Sequence, residues 1–201
     1  MPYVRTVPID AADGLLAETY DRELAKDGYV ANMTQLFSLR PEVYAAWGQL
    51  RESIRGNMDL RRYELATLAA ARALRCRYCV GAHASILESK FYDRRQLEAI
   101  MRDFRDADLD KADVAIMAFA EKVALHAYRV TLEDIETLRG HGLTDAEVFD
   151  IALAAALRCF FSKVLDSMGA EPDEAYAEAA TLLELVPLAE PAAAASSAGT
   201  S

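Results

Sequence analysis

The chain has 201 residues and a formal charge of −10 at neutral pH, from 22 basic and 32 acidic side chains. This length suits one compact domain with a real core. The acidic balance disfavours binding to nucleic acid or to an anionic membrane, because both need a basic surface. The N-terminus lacks the apolar stretch of a signal peptide, and the most apolar segment, 148–165, is interrupted by Asp150, Arg158 and Lys163. We therefore expect a cytoplasmic protein that does not associate with membranes.

The elements predicted from the sequence are all helices. Strand signals are nearly absent, and alanine, leucine, glutamate and arginine, which are good helix formers, dominate the chain. We predict an all-α fold whose helices cover, in chain order, 11–26, 32–39, 41–55, 60–74, 78–89, 93–102, 110–128, 131–139, 144–168 and 172–185.

Capping residues set several of these boundaries. Asp59 is a suitable N-cap for the helix that follows it, and Thr144 with Glu147 three residues later has the spacing of a capping box. Gly169 is expected to end the helix that begins at Thr144. From about Pro187 the sequence becomes low in complexity, which predicts a disordered tail over 187–201.

Residues 1–186 are predicted to form a single domain that contains an internal repeat. A shift of 83 residues aligns ELATLAAARALRC, residues 64–76, with EVFDIALAAALRC, residues 147–159, and seven of the 13 positions are identical. In the same register Cys79 meets Ser162 and His83 meets Asp166. We therefore predict a duplicated helical unit, with a chemically active copy around 58–90 and a degenerate, structural copy around 141–170.

The most informative stretch contains Glu64, Cys76, Cys79 and His83, in the pattern E-x11-C-x2-C-x3-H. On an α-helix, residues three or four positions apart lie on one face, so both thiols and the imidazole are within reach of one another. A nearby base lowers the pKa of a thiol, and a second thiol can close a disulfide after oxidation. In a reducing compartment this spacing indicates redox or metal chemistry and not a structural disulfide.

The sequence around this motif resembles a known family. The run YELATLAAARALRCRYCVGAHASIL, residues 63–87, resembles the core of the AhpD-like alkylhydroperoxidase and carboxymuconolactone decarboxylase superfamily. Residues 118–173 are similar to the C-terminal part of its peroxidase-related branch. The resemblance implies an all-helical AhpD-like fold and a dithiol that reduces peroxides.

By the same resemblance, four residues form the catalytic site. Cys79 is expected to be the thiol that attacks the peroxide, and Cys76 the thiol that then closes the disulfide. His83 is expected to accept the proton of Cys79, while Glu64 orients His83 and receives the relayed proton. Tyr78 stands where AhpD enzymes often have a histidine, and it is a possible supporting residue that could donate a hydrogen bond to the peroxide.

The expected partners are a small organic or hydrogen peroxide and an external dithiol reductant of the lipoyl or thioredoxin type. The family resemblance also implies a homo-oligomer. No cofactor is expected, because the chain has no glycine-rich phosphate loop, and Val80 after Cys79 departs from the haem-attachment pattern C-x-x-C-H.

Three other functions stay open from the sequence. Cys76, Cys79 and His83 could bind zinc, although a second ligand pair is missing from the sequence. Glu64 and His83 could act as base and acid in a decarboxylase or isomerase of a small acid or lactone. Paired cysteines argue against that reading, since the decarboxylase branch generally lacks them. The last alternative is a helical module that no longer turns over.

Overall fold

The computed structural model describes residues 2–188. Within them the chain forms α-helices and short 3-10 turns and no β-strand, so the predicted all-α fold is confirmed. The α-helices are α1 (Gly14–Asp27), α2 (Asn32–Leu36), α3 (Pro41–Arg55), α4 (Leu60–Ala73), α5 (Arg77–Lys90), α6 (Arg94–Asp103), α7 (Lys111–His126), α8 (Leu132–Gly140), α9 (Asp145–Ser167) and α10 (Ala177–Ala180).

The capping residues act as the sequence indicates. The Asp59 side chain accepts the backbone N–H of Arg62 at the start of α4. The Thr144 hydroxyl accepts the N–H of Glu147, whose carboxylate in turn accepts the backbone N–H of Thr144, so both halves of the capping box are present. These bonds satisfy N–H groups that have no partner inside the helix.

Helix α4 lies at the centre of the molecule and packs against α5, α7 and α9. Every residue of α4 from Tyr63 to Arg72 is buried, because neighbours cover the helix on several sides. A run of alanines in this stretch allows the surrounding helices to approach closely. Helix α5 is also covered by α10, which lies against Gly81. The N-terminal half of α5 is therefore enclosed on two sides, and this position holds both candidate thiols.

Aromatic side chains from three segments complete the core near α9. The indole of Trp47 stacks on the ring of Phe161 with centroids 3.9 Å apart, and Phe37 stacks on the same ring at 5.4 Å. Stacked aromatic side chains bury large apolar areas, so these three rings fix α3 against α9.

The end of the chain differs from the prediction. The single helix expected over 172–185 is instead a 3-10 turn (Glu174–Tyr176), the short α10, and a second 3-10 turn (Thr181–Leu185). The backbone here lies very close to α5, since a Cβ added to Gly81 would meet the carbonyl oxygen of Tyr176 and the Cβ of Ala180 at 3.0 Å. Such packing favours short, tight turns over a continuous α-helix. Residues 189–201 of the predicted disordered tail lie outside the described residues.

Among residues 2–188, no helix combines the length and the apolar character that crossing a bilayer requires.

Candidate active site

A break between α4 and α5 positions the two thiols. At the end of α4, the N–H of Arg75 bonds to the carbonyl of Arg72 and the N–H of Cys76 to that of Ala71, which is the pattern of a Schellman cap. Arg75 has a φ of 59°, the left-handed conformation in which glycine is usual. Cys76 then becomes the N-cap of α5. Cys79 consequently lies in the first turn, where the helix dipole stabilises a thiolate.

Both thiols are free and buried, with 0% of Cys76 and 1% of Cys79 exposed. The two thiols interact directly, and their pKa values shift in opposite directions. The hydrogen bond with Cys76, together with the charge of Arg158, holds the pKa of Cys79 well below its ordinary value although burial opposes this. The same hydrogen bond, reinforced by burial, raises the pKa of Cys76. These directions favour Cys79 as the thiolate of the pair and Cys76 as its protonated neighbour.

Glu64 and His83 form a second buried pair beside the thiols. The Oε2 atom of Glu64 lies 2.6 Å from Nδ1 of His83. The Oγ1 atom of Thr67 lies 3.2 Å from the same nitrogen, and it donates its own hydrogen to the carbonyl oxygen of Tyr63 at 2.8 Å. Because a carboxylate only accepts hydrogen bonds, this arrangement assigns a hydrogen to Nδ1 and leaves Nε2 for proton exchange.

The structure thus brings together all four residues that the sequence motif predicts. The direct contact of Glu64 with His83 matches the expected orienting role. Within residues 2–188, however, no hydrogen bond joins His83 to Cys79, and the imidazole acts on the thiolate only through its charge. A proton moving between the two residues would have to pass through a bound substrate or water.

Sequence reasoning missed three residues of α9 that lie at the thiols. The Nη1 atom of Arg158 donates to Sγ of Cys79 at 3.4 Å. Ser162 lies beside Cys79 and also lowers the pKa of that thiol. Asp166 lies beside Cys76; partial burial raises the pKa of the carboxyl, and the charge of Cys79 adds to this rise. The copy predicted to be only structural therefore contributes side chains to the site.

One signal in the sequence could have revealed Arg158. The arginine interrupts the apolar run 148–165, and a charge on an otherwise buried helix needs a partner. The run by itself does not indicate which partner, because the thiol lies 79 residues away in sequence.

Tyr78 is committed to a different contact. Its hydroxyl donates to the Oδ2 atom of Asp173, and burial together with this bond raises the pKa of the phenol. The other carboxylate oxygen of Asp173 accepts the backbone N–H of Asn32 at 2.8 Å. Tyr78 therefore connects the segment after α9 to α5 and α2. Its hydroxyl hydrogen is already donated to Asp173, so it is not free to bind a peroxide.

Cys159, the third cysteine, lies apart from this pair. It is half-buried on α9, its Sγ atom is 3.9 Å from the carbonyl oxygen of Ala124, and burial raises its pKa. Among the described residues, no group of three or more His, Cys, Asp or Glu side chains is arranged to hold a metal ion. The zinc alternative thus gains no support from the geometry.

Comparison with known proteins shows what the chain is similar to. Residues 41–122 match the model of the carboxymuconolactone decarboxylase family. No curated protein matches the chain.

Solved structures match almost the whole chain. A peroxidase-related protein from Ralstonia eutropha JMP134, described as an alkylhydroperoxidase AhpD core, has a TM-score of 0.78 and 24% identity, over 88% of this chain and 94% of that one. A peroxidase-related protein from Silicibacter sp. TM1040 has a TM-score of 0.77 and 22% identity, with the same coverage of both chains. The debrominase Bmp8 has a TM-score of 0.71 and 17% identity, over 90% of this chain and 96% of its own.

At these identities the structures share the fold and do not establish a common reaction. The resemblance stated from the sequence is nevertheless confirmed: residues 41–122 carry a carboxymuconolactone decarboxylase family segment, and the chain has an AhpD-like fold.

Proposed function

We propose that the protein is a thiol-dependent peroxidase that reduces organic hydroperoxides or hydrogen peroxide. The observation that carries this proposal is the geometry of two adjacent, free and buried thiols at the start of α5, with the guanidinium of Arg158 3.4 Å from the sulfur of Cys79. Peroxide reduction by a dithiol needs one sulfur as an anion and a second one protonated nearby. Cys79 and Cys76 have these properties, and Glu64 and His83 supply a proton relay beside them.

The reaction begins with attack of the Cys79 thiolate on the terminal oxygen of the hydroperoxide. A sulfur–oxygen bond forms and the oxygen–oxygen bond breaks, so that Cys79 becomes a sulfenic acid and an alkoxide, or hydroxide, leaves with the bond's electron pair. His83 receives the proton of Cys79 through a bridging water or the substrate and delivers it to the leaving oxygen, while Glu64 stabilises the imidazolium.

The second step converts the sulfenic acid into a disulfide. The Cys76 thiol attacks the Cys79 sulfur, a disulfide forms, and the hydroxyl group leaves as water with the proton of Cys76. The balance is two thiols and one hydroperoxide giving one disulfide, one alcohol and one water. An external dithiol of the lipoyl or thioredoxin type then reduces the disulfide by exchange.

A decarboxylase-like reaction would use Glu64 and His83 and leave the thiols idle. Nothing in that chemistry accounts for a buried thiolate beside a protonated thiol, which is why we favour the peroxidase. The debrominase among the structural neighbours shares the fold at 17% identity, and its reaction is not carried over.

A stoichiometric experiment tests the proposal. The reduced protein is mixed with one equivalent of cumene hydroperoxide or hydrogen peroxide, and free thiols, remaining peroxide and disulfides are measured, the last by peptide mapping. We expect one peroxide consumed per chain and a Cys76–Cys79 disulfide. Cys76→Ser should instead accumulate a sulfenic acid on Cys79, which a dimedone probe traps.

An unchanged thiol content after exposure to peroxide would reject the peroxidase. Activity toward small acids or lactones that survives in the double variant Cys76→Ser, Cys79→Ser would establish the decarboxylase-like alternative.

A further inference from the structure

Arg158 is a buried positive charge without a carboxylate partner. Only 4% of the residue is exposed, and within residues 2–188 no Asp or Glu makes an ion pair with it. Arg72, the other buried arginine of the core, is different: its guanidinium bonds to Glu121 at 2.9 Å and to the carbonyl oxygens of Met101 and Arg102. A buried charge is costly unless an opposite charge compensates it. The compensating anion of Arg158 therefore has to be found near its guanidinium.

The acceptor in contact with Arg158 is the Sγ atom of Cys79, 3.4 Å from Nη1. Burial is the largest single influence and acts to lower the pKa of Arg158, but the charge of Cys79 and the hydrogen bond to it, together with Tyr63 and Cys76, outweigh burial, and the pKa of the arginine is raised. The arginine and the thiolate are thus each other's counter-ion. Without the thiolate the guanidinium would be uncompensated, and without the guanidinium a buried thiolate would be unfavourable.

One hydrogen-bond donor of this pair has no partner. The Nε atom of Arg158 is buried and makes no hydrogen bond among the described residues. The hydroxyl of Tyr63 lies beside the guanidinium and that of Ser162 beside Cys79, and each interacts with that neighbour. Buried polar groups are nearly always satisfied in folded proteins, so a free donor next to a nucleophile is a position where a bound molecule can accept a hydrogen bond.

We propose that Arg158, supplied by α9, is the residue that keeps Cys79 as a thiolate, and that its unpartnered Nε–H donates a hydrogen bond to the oxygen that leaves the peroxide. This inference rests on the proposed function for its second half. Arg158 transfers no proton: the alkoxide or hydroxide carries the electron pair of the broken oxygen–oxygen bond, Nε–H stabilises its charge, and the proton still comes from His83.

Other charges near Cys79 do not fill this role. His83 contributes less than Arg158 to the lowered pKa of Cys79, makes no hydrogen bond to the sulfur among the described residues, and has its Nδ1 paired with Glu64. Asp166 on α9 is an acid and opposes a second negative charge, and Tyr63 on α4 is neutral because burial raises the pKa of its phenol. Cys76 supplies the hydrogen bond that lowers the pKa of Cys79 most, but it carries no positive charge and so cannot compensate the charge of a buried thiolate. Arg158 is the cation whose donor reaches the sulfur.

The thiolate is measured by its ultraviolet absorbance as a function of pH, taken as the difference between each variant and the same variant carrying Cys79→Ser. All proteins carry Cys159→Ser, and circular dichroism checks their folding. We expect Arg158→Met to lose the thiolate signal at neutral pH and regain it only at alkaline pH. His83→Asn should keep the signal. Loss of the thiolate in His83→Asn, or its persistence in Arg158→Met, would overturn the first half of the inference.

Arg158→Gln, which is also neutral, replaces the methionine variant if that variant does not fold, and Arg158→Lys tests the second half. Lysine keeps the charge but has no N–H at the position of Nε, so the thiolate signal should persist. The rate of sulfenic acid formation with peroxide should nevertheless fall at least tenfold. An undiminished rate in Arg158→Lys would exclude a role of Nε in the reaction.

The absorbance titration needs no peroxide, so it separates this inference from the proposed function. A wild type that holds the thiolate through Arg158 but consumes no peroxide would remove the peroxidase and leave the counter-ion assignment standing. If the wild type consumes peroxide while Arg158→Met keeps its thiolate, the counter-ion assignment fails and the peroxidase proposal stands.

Discussion

The segment α4–α5 and the helix α9 share a sequence pattern but differ in shape and in contribution. The pattern pairs Glu64 with Glu147, Arg75 with Arg158, and Cys76 with Cys159. In the first segment the helix breaks at Arg75, and a new helix starts at Arg77. In the second, the aligned residues continue within one helix of 23 residues. The tandem duplication itself stays a prediction.

The break decides which residues can do chemistry. It places Cys76 at a helix N-cap and turns Arg75 toward the surface, where its Nη1 atom lies 3.4 Å from the carbonyl oxygens of Val186 and Pro187. In the unbroken helix the aligned arginine, Arg158, points inward to Cys79. The aligned arginines thus have opposite environments, one exposed and one buried, and the candidate site contains residues from both segments.

The largest effect is expected from the contrast between cysteines of the two segments. Cys79→Ser should reduce peroxide consumption to the uncatalysed rate, because it removes the nucleophile. Cys159→Ser should leave the rate unchanged, since burial raises the pKa of that thiol and it has no paired cysteine. The measurement is the rate of peroxide loss under saturating reductant. A comparable loss in both variants would mean that the site is not confined to the start of α5.

Substitutions of the two aligned glutamates should also have different effects. Glu64→Gln removes the negative charge from the partner of His83 Nδ1, and peroxide reduction should fall about tenfold to a hundredfold. Glu147→Gln should leave the rate unchanged and lower stability by about 0.3–1 kcal/mol, because glutamine keeps the capping-box acceptor and only the negative charge near the helix N-terminus is lost. Steady-state kinetics and urea unfolding measure the two effects.

The stability effect of Glu147 should depend on pH. Hydrogen bonds with the backbone and side chain of Thr144 lower the pKa of Glu147. A lowered pKa in the folded state means that the stabilisation is present above the pKa of an unfolded glutamate and disappears as pH falls through the folded value. The difference between wild type and Glu147→Gln should therefore shrink in acid. A constant difference would indicate that the charge of Glu147 does not matter.

An effect on stability alone is expected at Gly81, whose aligned residue in α9 is Val164. A Cβ at Gly81 would lie 3.0 Å from both Ala180 Cβ and the Tyr176 carbonyl oxygen, so Gly81→Ala should cost about 1–2 kcal/mol despite the better helix propensity of alanine. Gly48→Ala in α3 is the matched control: no atom lies within 4 Å of the added methyl group, and stability should rise by up to about 1 kcal/mol. Equal changes would show that α5 and α10 separate easily.

The smallest effect concerns the break itself. Arg75→Gly relieves a left-handed conformation and should raise the free energy of unfolding by about 0.5–1 kcal/mol. Urea unfolding measures the change. A decrease would mean that the contacts of the Arg75 side chain with Val186 and Pro187 outweigh the backbone strain.

Local patterns predicted what depends on neighbours in sequence. The helices, the caps at Asp59 and Thr144, and the proximity of Cys79 to His83 follow from spacing of three or four residues. The contact of Glu64 with His83 followed from the family motif. Arg158, Ser162 and Asp166 could not be assigned to the site, because their place depends on how α9 packs on α5. The 3-10 turns after Asp173 are likewise set by close packing, which periodicity does not record.

The position of Cys76 outside α5 has a consequence for repeated oxidation. Residues at an N-cap and at the third helical position lie within the separation that a disulfide spans. Sulfur–sulfur bond formation would bridge the first turn while every residue from Arg77 to Lys90 stays helical. The oxidised and reduced forms would then have the same backbone structure. Each oxidation and reduction would need only side-chain rotation at the N-terminus of α5, and the helix would not unwind.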